Sequence, residues 1–416
     1  MSVVSRSPVV ERLAELAKLG AYEHGIDRGL FTPAEHAARL LFAGWARAGG
    51  FALSQDRAGN LFARRDGTAD CPPIVVGSHL DTVRTGGAYD GAYGVVGALC
   101  ALELLAASKT ATEHPIEAVA WAGEEGSRFP MGCLGSGAFA GLNSMAEIDA
   151  LVGDDGVQFS DARESASGLL PGVPVRDGFP RPAACVELHI EQGPIMERAG
   201  ARLGAVTAIA GQVRCEVEVV GEPGHAGTVP MIVRHDAVCA AAEIALALET
   251  VARQLGECVA TVGYFVVEPN QTNIVPGRVV FRVDARSVDD ERVERLSAAV
   301  RDECARAEIQ RGVKCSIKPL ERRRAVPMDP ALRGAVREAL DSLGERTMDV
   351  PSGAGHDTMC VATVAPAAMI FVPSAGGRSH VGEEYTSPED LELGVEALVR
   401  SIVAVDRALT DDSKGA

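Results

Sequence analysis

The stretch Ile74-Val75-Val76-Gly77-Ser78-His79-Leu80-Asp81 joins a run of β-branched residues to side chains that bind metal ions. The β-branched residues predict a buried strand, and His79 lies where that strand ends. Asp90 follows in the glycine-rich segment 86–91. Ligand-type side chains at the exit of an apolar strand are typical of α/β enzymes with a metal site. An imidazole beside a carboxylate favours zinc, manganese, cobalt or nickel over magnesium or calcium.

The composition limits the classes of protein that the chain can represent. Its 416 residues are enough for two domains, and its hydrophobic content of 47% provides a large core. The net charge of -17 argues against binding to nucleic acid or to an anionic membrane surface. A small anionic substrate remains compatible, because local arginines can override the global charge.

The cysteines and the N-terminal residues indicate the cellular compartment of the protein. The ten cysteines form no C-x-x-C pair and several lie in apolar contexts, which is typical of free thiols in a reducing compartment. The first ten residues do not resemble a signal peptide, and no apolar run reaches the roughly 18 residues of a membrane span. We therefore expect a soluble, cytoplasmic protein.

The first half of the chain alternates between strands and helices. Helical periodicity covers residues 8–20 and 33–48, and residues 94–107 are apolar nearly all round, as in a buried helix. Apolar strands are predicted at 61–64, 74–77 and 116–121. This alternation predicts an α/β fold with a mostly parallel central sheet and helices on its faces.

The pattern changes near residue 211 and returns after residue 325. Between them the predicted order is β-α-β-β-α-β, which is the ferredoxin-like order. We therefore expect a discontinuous catalytic domain formed by residues 1–210 and 326–416. The segment 211–325 is expected to form a smaller ferredoxin-like domain inserted into it.

Acidic and imidazole groups recur at the predicted strand ends. Taken singly, each has an ordinary explanation as a structural histidine, a solvated glutamate pair or a turn aspartate. Together they fit a site for two metal ions, which needs a bridging carboxylate and a free carboxylate that accepts a proton from water. The adjacent Glu124 and Glu125 can divide these roles, because neighbouring side chains point in different directions.

Six segments make the chain similar to a known family. Together they resemble the M20-type metallohydrolases, and more narrowly the amidase branch of N-carbamoyl-L-amino acid hydrolases, β-ureidopropionases and allantoate amidohydrolases. The similarity covers nearly the whole chain, and the motifs occur in the family's order. The segments are 77–83, 87–91, 122–129, 187–194, 224–231 and 352–357.

The resemblance implies two divalent metal ions per subunit, Zn²⁺ or else Mn²⁺, Co²⁺ or Ni²⁺. His79 and His189 resemble the terminal ligands of one ion, and Asp90 resembles the bridge. Glu125 and His380 resemble the ligands of the second ion, and Glu124 resembles the general base. Asp81 is expected to orient the His79 imidazole, and Glu191 remains an alternative ligand to His189.

The resemblance also implies a homodimer in which the inserted domain is a lid that completes the partner's site. His225 would stabilise the oxyanion from across the dimer. Asn273 and Arg286 would hold the substrate carboxylate, with Asn270 and Arg282 as alternatives. Gln192 and Gly355 are weaker candidates for contacts with substrate.

The implied reaction is hydrolysis of the ureido bond of an N-carbamoyl-L-amino acid, which releases the amino acid, ammonia and carbon dioxide. His189 favours this branch, because peptidase relatives usually place a carboxylate there. Allantoate remains an alternative substrate, since the segment 208–212 looks allantoate-like whereas 370–374 looks carbamoylase-like. An aminoacylase or exopeptidase and an inert binding homologue are the further alternatives.

One segment departs from the family pattern. After His380 the family commonly has Asn-Pro or Ser-Pro before an acid, whereas this chain has Val381-Gly382-Glu383. We expect the metal ligand to be intact and the wall of the substrate pocket to be altered.

Overall fold

The computed structural model describes residues 7–178 and 181–415. The chain divides into a larger unit (Met1–Thr207, Met328–Val350 and Ala354–Ala416) and a smaller one (Ala208–Pro327 and Pro351–Gly353). These limits lie within a few residues of the predicted 211 and 325. The short segment Pro351–Gly353 was predicted in the larger domain but groups with the smaller unit, where the Ala210 N–H donates to the Ser352 carbonyl at 2.9 Å.

The described residues form the following elements. The helices are α1 Val9–Leu16, α2 Pro33–Ala48, α3 Ala92–Ala107, α4 Leu134–Phe139, α5 Met145–Asp149, α6 Phe159–Glu164, α7 Ile195–Ala199, α8 Ala237–Leu255, α9 Asp290–Arg311, α10 Pro330–Asp341, α11 Thr358–Val361 and α12 Pro388–Gly415. The strands are β1 Ala21–Tyr22, β2 Gly25–Ile26, β3 Ala52–Gln55, β4 Leu61–Arg65, β5 Ile74–His79, β6 Ile116–Trp121, β7 Ala184–Ile190, β8 Leu203–Ile209, β9 Gly211–Val220, β10 Gly224–His225, β11 Cys258–Glu268, β12 Ile274–Val275, β13 Arg278–Ser287, β14 Lys314–Arg323, β15 Val326–Pro327, β16 Thr347–Ser352 and β17 Ala367–Val372. None of the helices described is long and apolar enough to cross a membrane.

The larger unit is built on a mixed sheet with the strand order β8-β17-β7-β5-β6-β4-β3, and β16 lies beside β8. The four central strands β17, β7, β5 and β6 are parallel. The outer strands are antiparallel to their neighbours. The prediction of a mostly parallel sheet therefore holds only for its centre. Strands β3 and β4 are joined by residues 56–60 alone, which is too short for the crossover that parallel pairing requires.

Helix α3 is buried on every side over residues 92–102, where its residues are also apolar all round. Val96, Ala98 and Leu102 are each 0% exposed, and they belong to a core shared with strands β5 and β7 and helix α12. A helix without a polar face must be covered on every side. This burial fixes the N-terminus of α3, which directly follows Asp90, at one edge of the central strands.

The smaller unit contains a four-stranded antiparallel sheet with the order β11-β13-β9-β14. Helices α8 and α9 pack on one face of this sheet, where Val217 and Phe281 are fully buried. The opposite face carries charge pairs such as Arg282 Nε to Glu216 Oε2 at 2.9 Å. Alternating residues along each strand thus separate an apolar face from a charged one.

Candidate metal centre

The acidic and imidazole residues lie at the carboxyl ends of the central parallel strands. His79 is the last residue of β5 and is paired in register with Trp121 at the end of β6. His189 lies near the end of β7 and is in register with Phe371 of β17. Parallel strands end at the same edge of a sheet, so the loops that follow them converge there. The structure thereby brings together all five residues predicted as metal ligands.

The Asp90 carboxylate lies at the centre of this group. Its Oδ1 atom is 3.7 Å from His79 Nε2 and 3.2 Å from His189 Nε2. Its Oδ2 atom is 3.1 Å from His380 Nε2, which in turn is 3.7 Å from Glu125 Oε1. One carboxylate oxygen thus faces two imidazoles while the other faces a third. This is the arrangement expected of a bridging ligand.

Backbone carbonyls orient two of the imidazoles. His79 Nδ1 lies 2.9 Å from the Asp81 carbonyl, and His189 Nδ1 lies 2.9 Å from the Ile190 carbonyl. A carbonyl only accepts, so each Nδ1 carries a proton and Nε2 is the ring atom that faces Asp90.

Asp81 orients the His79 ring through a different group from the one that the sequence predicted. Its backbone carbonyl, rather than its carboxylate, accepts from the His79 ring, and its Oδ1 atom is 3.8 Å from that ring. The carboxylate accepts the backbone N–H groups of Glu124 and Glu125, each at 3.1 Å. Asp81 therefore fixes the turn that carries both glutamates.

The two adjacent glutamates reach different parts of the centre. Glu124 Oε2 is 3.7 Å from His79 Nε2, and its Oε1 atom accepts the Cys133 thiol at 3.5 Å. Glu125 is directed toward His380, and its Oε1 atom also accepts the Val83 N–H at 3.3 Å. The two glutamates thus face different imidazoles, and both belong to a group, with His79, that could hold a metal ion.

Burial and mutual repulsion perturb these acids strongly. Burial, reinforced by Asp90 and Glu124, raises the pKa of Glu125 to about 10. Burial and neighbouring carboxylates also raise the pKa of Glu124 well above its usual range. Burial alone would raise the pKa of Asp90, yet hydrogen bonds with His189 and His380 hold it well below its usual range. Such a cluster of carboxylates and imidazoles, with His79, Asp90 and His189 buried, fits a divalent cation, which would offset its negative charge.

Gln192 and Gly355 lie beside this centre. Gln192 Nε2 donates to Asp90 Oδ2 at 3.0 Å, and the amide oxygen of Gln192 is buried without a hydrogen-bond partner. Gly355 precedes His356, a buried residue whose ring centroid lies 4.6 Å from that of His189. The packing of His356 on His189 is a contact that the sequence interpretation did not contain.

Glu191 is engaged elsewhere. Its two carboxylate oxygens accept the backbone N–H groups of Ile195 at 2.7 Å and Met196 at 2.9 Å. The carboxylate thus satisfies the first amides of helix α7. The structure therefore favours His189 over Glu191 as the ligand from this strand.

Glu384 is the residue that the sequence interpretation missed. It is buried, and its Oε1 atom accepts the backbone N–H groups of Tyr89 at 2.9 Å and Asp90 at 3.0 Å. Its Oε2 atom accepts the Ser379 hydroxyl at 2.7 Å. The signal was present in the sequence, because this is the acid that follows the unusual Val381-Gly382-Glu383 segment.

The remaining predicted residues belong to the smaller unit. His225 is exposed on β10, and its Nδ1 atom accepts the N–H groups of Gly227 at 3.0 Å and Thr228 at 3.3 Å. The Ala226 N–H donates to the Asn273 carbonyl at 3.0 Å, which brings Asn273 beside the His225 turn.

Arg286 lies on β13 of the same unit. Its guanidinium donates to Asp284 at 2.9 and 3.0 Å and to the Gly353 carbonyl at 2.9 Å. Arg282, the alternative on the same strand, is paired with Glu216 instead. Both arginines are therefore held in place by neighbouring acceptors.

A mixed α/β sheet that presents imidazoles and carboxylates at its strand ends defines a metal-dependent hydrolase. Residues 75–404 match the peptidase family M20/M25/M40. The N-carbamoyl-L-amino-acid amidohydrolase of Paenarthrobacter aurescens is 39% identical over 96% of this chain and 98% of its own length. The allantoate amidohydrolase of Bacillus subtilis (strain 168) is 38% identical over 94% of this chain and 96% of its own.

A solved structure agrees with these similarities. The amidase of the hydantoinase/carbamoylase family from Burkholderia multivorans has a TM-score of 0.91 and 37% identity, covering 96% of this chain and 98% of its own. The chain therefore belongs to peptidase family M20/M25/M40, in the branch of the hydantoinase/carbamoylase amidases. Family and donor set together support the use of divalent metal.

Gly91 offers a test of the metal centre. At this residue φ is +63°, and an added Cβ would lie 2.4 Å from the His79 ring. We expect Gly91→Ala to displace that imidazole and to weaken metal binding by about tenfold or more, measured by metal analysis after dialysis against a weak chelator. Gly141→Ala is the matched control, because its φ is +73° and nothing lies within 4 Å of the added Cβ. Equal metal content in both variants would contradict the assignment of His79 as a ligand.

Proposed function

We propose that the chain hydrolyses the ureido carbon–nitrogen bond of N-carbamoyl-L-amino acids and releases the amino acid, ammonia and carbon dioxide. The observation that carries this proposal is the cluster around Asp90, which combines candidate metal ligands with a further carboxylate, Glu124, beside His79. Three relatives that are 36–39% identical over nearly the whole chain are N-carbamoyl-L-amino-acid amidohydrolases. The enzyme class is that of hydrolases acting on carbon–nitrogen bonds other than peptide bonds.

Five residues would hold two divalent ions, Zn²⁺ or else Mn²⁺, Co²⁺ or Ni²⁺. We assign His79 and His189 to the first ion, Glu125 and His380 to the second, and Asp90 to both. The assignment follows the way in which Asp90 Oδ1 faces the first pair of imidazoles and Oδ2 faces His380. When bound, the ions polarise the ureido carbonyl and make water a better nucleophile at neutral pH.

Glu124 acts as the general base and then as the general acid. It takes a proton from the attacking water and returns that proton to the leaving nitrogen. The position of Glu124 suits this role, because its Oε2 atom lies 3.7 Å from Nε2 of His79, one of the assigned ligands. Asp81 keeps the Glu124 backbone in place through its N–H bond.

His225 stabilises the oxyanion of the tetrahedral intermediate. Because its Nδ1 atom accepts two backbone N–H groups, the ring proton lies on Nε2, which is then a hydrogen-bond donor. Gln192, Asn273, Arg286 and Gly355 bind the rest of the substrate, with the guanidinium directed to its carboxylate.

The smaller unit is proposed to act as a lid and dimerisation domain. Its elements β9, α8, β11, β13, α9 and β14 follow the β-α-β-β-α-β order of ferredoxin-like domains. In the proposed homodimer, His225 of one subunit serves the metal centre of the other. The ten cysteines are free thiols, which supports a location in the reducing cytoplasm.

Allantoate amidohydrolysis is the second candidate function. The Bacillus subtilis (strain 168) allantoate amidohydrolase is 38% identical to this chain, which lies within the 36–39% range of the carbamoyl relatives. The family and the branch count against an inert binding homologue, and the presence of His189 in place of a carboxylate counts against an aminoacylase or exopeptidase.

Ammonia release by the Mn²⁺-reconstituted protein distinguishes these candidates. We expect turnover of one or more N-carbamoyl-L-amino acids, tested beside N-carbamoyl-β-alanine, allantoate and N-acetyl-L-amino acids, the last followed by free amine. Ammonia from allantoate alone would establish the second candidate. Free amine from the acetyl compounds alone would contradict both ureido functions.

Replacement of Glu124 tests its proposed role. Glu124→Gln removes the proton acceptor but preserves the shape of the side chain, so we expect turnover to fall by about 10²-fold or more with metal content near that of the wild type. Glu125→Gln, the neighbouring variant of the same chemistry, is expected to lose bound metal. Metal loss in Glu124→Gln would instead identify Glu124 as a ligand.

A further inference from the structure

We propose that Glu384 is a positioning residue that sets how tightly the metal position formed by Asp90, Glu125 and His380 holds its ion. This inference rests on the metal centre of the proposed function. It assigns a role to a residue that would not touch the ion, the water or the substrate. Glu384 would act through the two loops that carry Asp90 and His380.

The contacts of Glu384 link two parts of the chain that are far apart in sequence. The bond from the Asp90 N–H to Glu384 Oε1 is 3.0 Å long and spans 294 residues. The Tyr89 N–H donates to the same oxygen at 2.9 Å. On the other side, Oε2 accepts the hydroxyl of Ser379, which directly precedes His380. One carboxylate therefore fixes the bridging ligand and a terminal ligand relative to each other.

The burial of Glu384 makes these bonds costly to lose. The residue is 5% exposed, so the amides of Tyr89 and Asp90 have little access to water as a substitute acceptor. A buried N–H group that loses its acceptor is destabilising, because water cannot replace the lost partner. The Asp90 loop would therefore shift to regain an acceptor if Glu384 were shortened.

Gly87 provides the space that the Glu384 carboxylate occupies. A Cβ atom added at Gly87 would lie 2.2 Å from both Cδ and Oε1 of Glu384. Only glycine allows the Asp90 loop to approach the carboxylate so closely. The glycine-rich segment before Asp90 is thus explained by the packing of Glu384 against it.

Glu384 also competes with Asp90 Oδ2 for the hydroxyl proton of Ser379. Ser379 Oγ lies 2.7 Å from Glu384 Oε2 and 3.5 Å from Asp90 Oδ2. The single hydroxyl proton therefore goes to Glu384, the closer acceptor. Asp90 Oδ2 then accepts from Gln192 Nε2 at 3.0 Å and faces His380 Nε2, 3.1 Å away.

Two conservative variants distinguish the effect of the length of the Glu384 side chain from the effect of its charge. Glu384→Asp keeps the negative charge but withdraws the carboxylate by one methylene, so it can no longer accept from both amides. Glu384→Gln loses the charge but retains an oxygen at the same reach that can accept both N–H groups. We expect Glu384→Asp to weaken one of the two bound ions by about tenfold or more and Glu384→Gln to stay close to the wild type.

The measurement is a chelator-competition titration of Mn²⁺ and Co²⁺ with purified protein, and the visible absorption of Co²⁺ reports the ligand geometry. Glu383→Asp and Glu383→Gln are the matched controls, because Glu383 is the exposed neighbour in sequence. Neither control is expected to change the affinity for either ion.

Three results would overturn the inference. In the first, Glu384→Asp binds both ions as tightly as the wild type. In the second, Glu384→Gln has an ion affinity as low as that of Glu384→Asp. In the third, both variants lose both ions equally. The first result would mean that Glu384 does not affect ion binding. The second would mean that the charge of Glu384, and not its hydrogen bonds, sets the affinity. The third would indicate general damage to the fold. Failure of the wild-type protein to bind any divalent ion would instead contradict the proposed function itself.

Discussion

The rest of the site depends on the contacts of the Asp90 carboxylate with three imidazoles. These contacts are 3.1–3.7 Å long. Without a counter-charge, a fully buried carboxylate among other acids would be driven to take up a proton. The imidazoles keep it ionised, and a divalent cation would do so more strongly. The surrounding strands, helix and loops hold the Asp90 carboxylate in position.

The sheet provides most of that support. Four parallel strands end at one edge, and the chain leaves each of them with a different functional segment. Residues 92–102 of helix α3 are buried on every side, and they fix the loop that carries Asp90. Backbone groups then complete the arrangement: carbonyls orient His79 and His189, and the Asp81 carboxylate holds the turn of the two glutamates.

Much of this arrangement could be predicted from the sequence, because local patterns encode it. The apolar run that ends at His79 and the alternation of strands and helices are properties of short segments, and both elements formed where expected. The outer antiparallel strands were not anticipated, because pairing direction depends on connections rather than on apolar character. Glu384 was missed because its bonds to the Asp90 loop span 294 residues, so the sequence showed the acid but not the residues that it contacts.

Anomalous diffraction from crystals of the protein loaded with Mn²⁺ or Zn²⁺ is the most direct test of the centre. The account predicts two anomalous peaks, one on each side of the Asp90 carboxylate, with His79 and His189 at one and Glu125 and His380 at the other. A single peak, or peaks that do not contact Asp90, would contradict the assignment of this carboxylate as the bridge. Either result would also decide whether Glu124 remains free of metal.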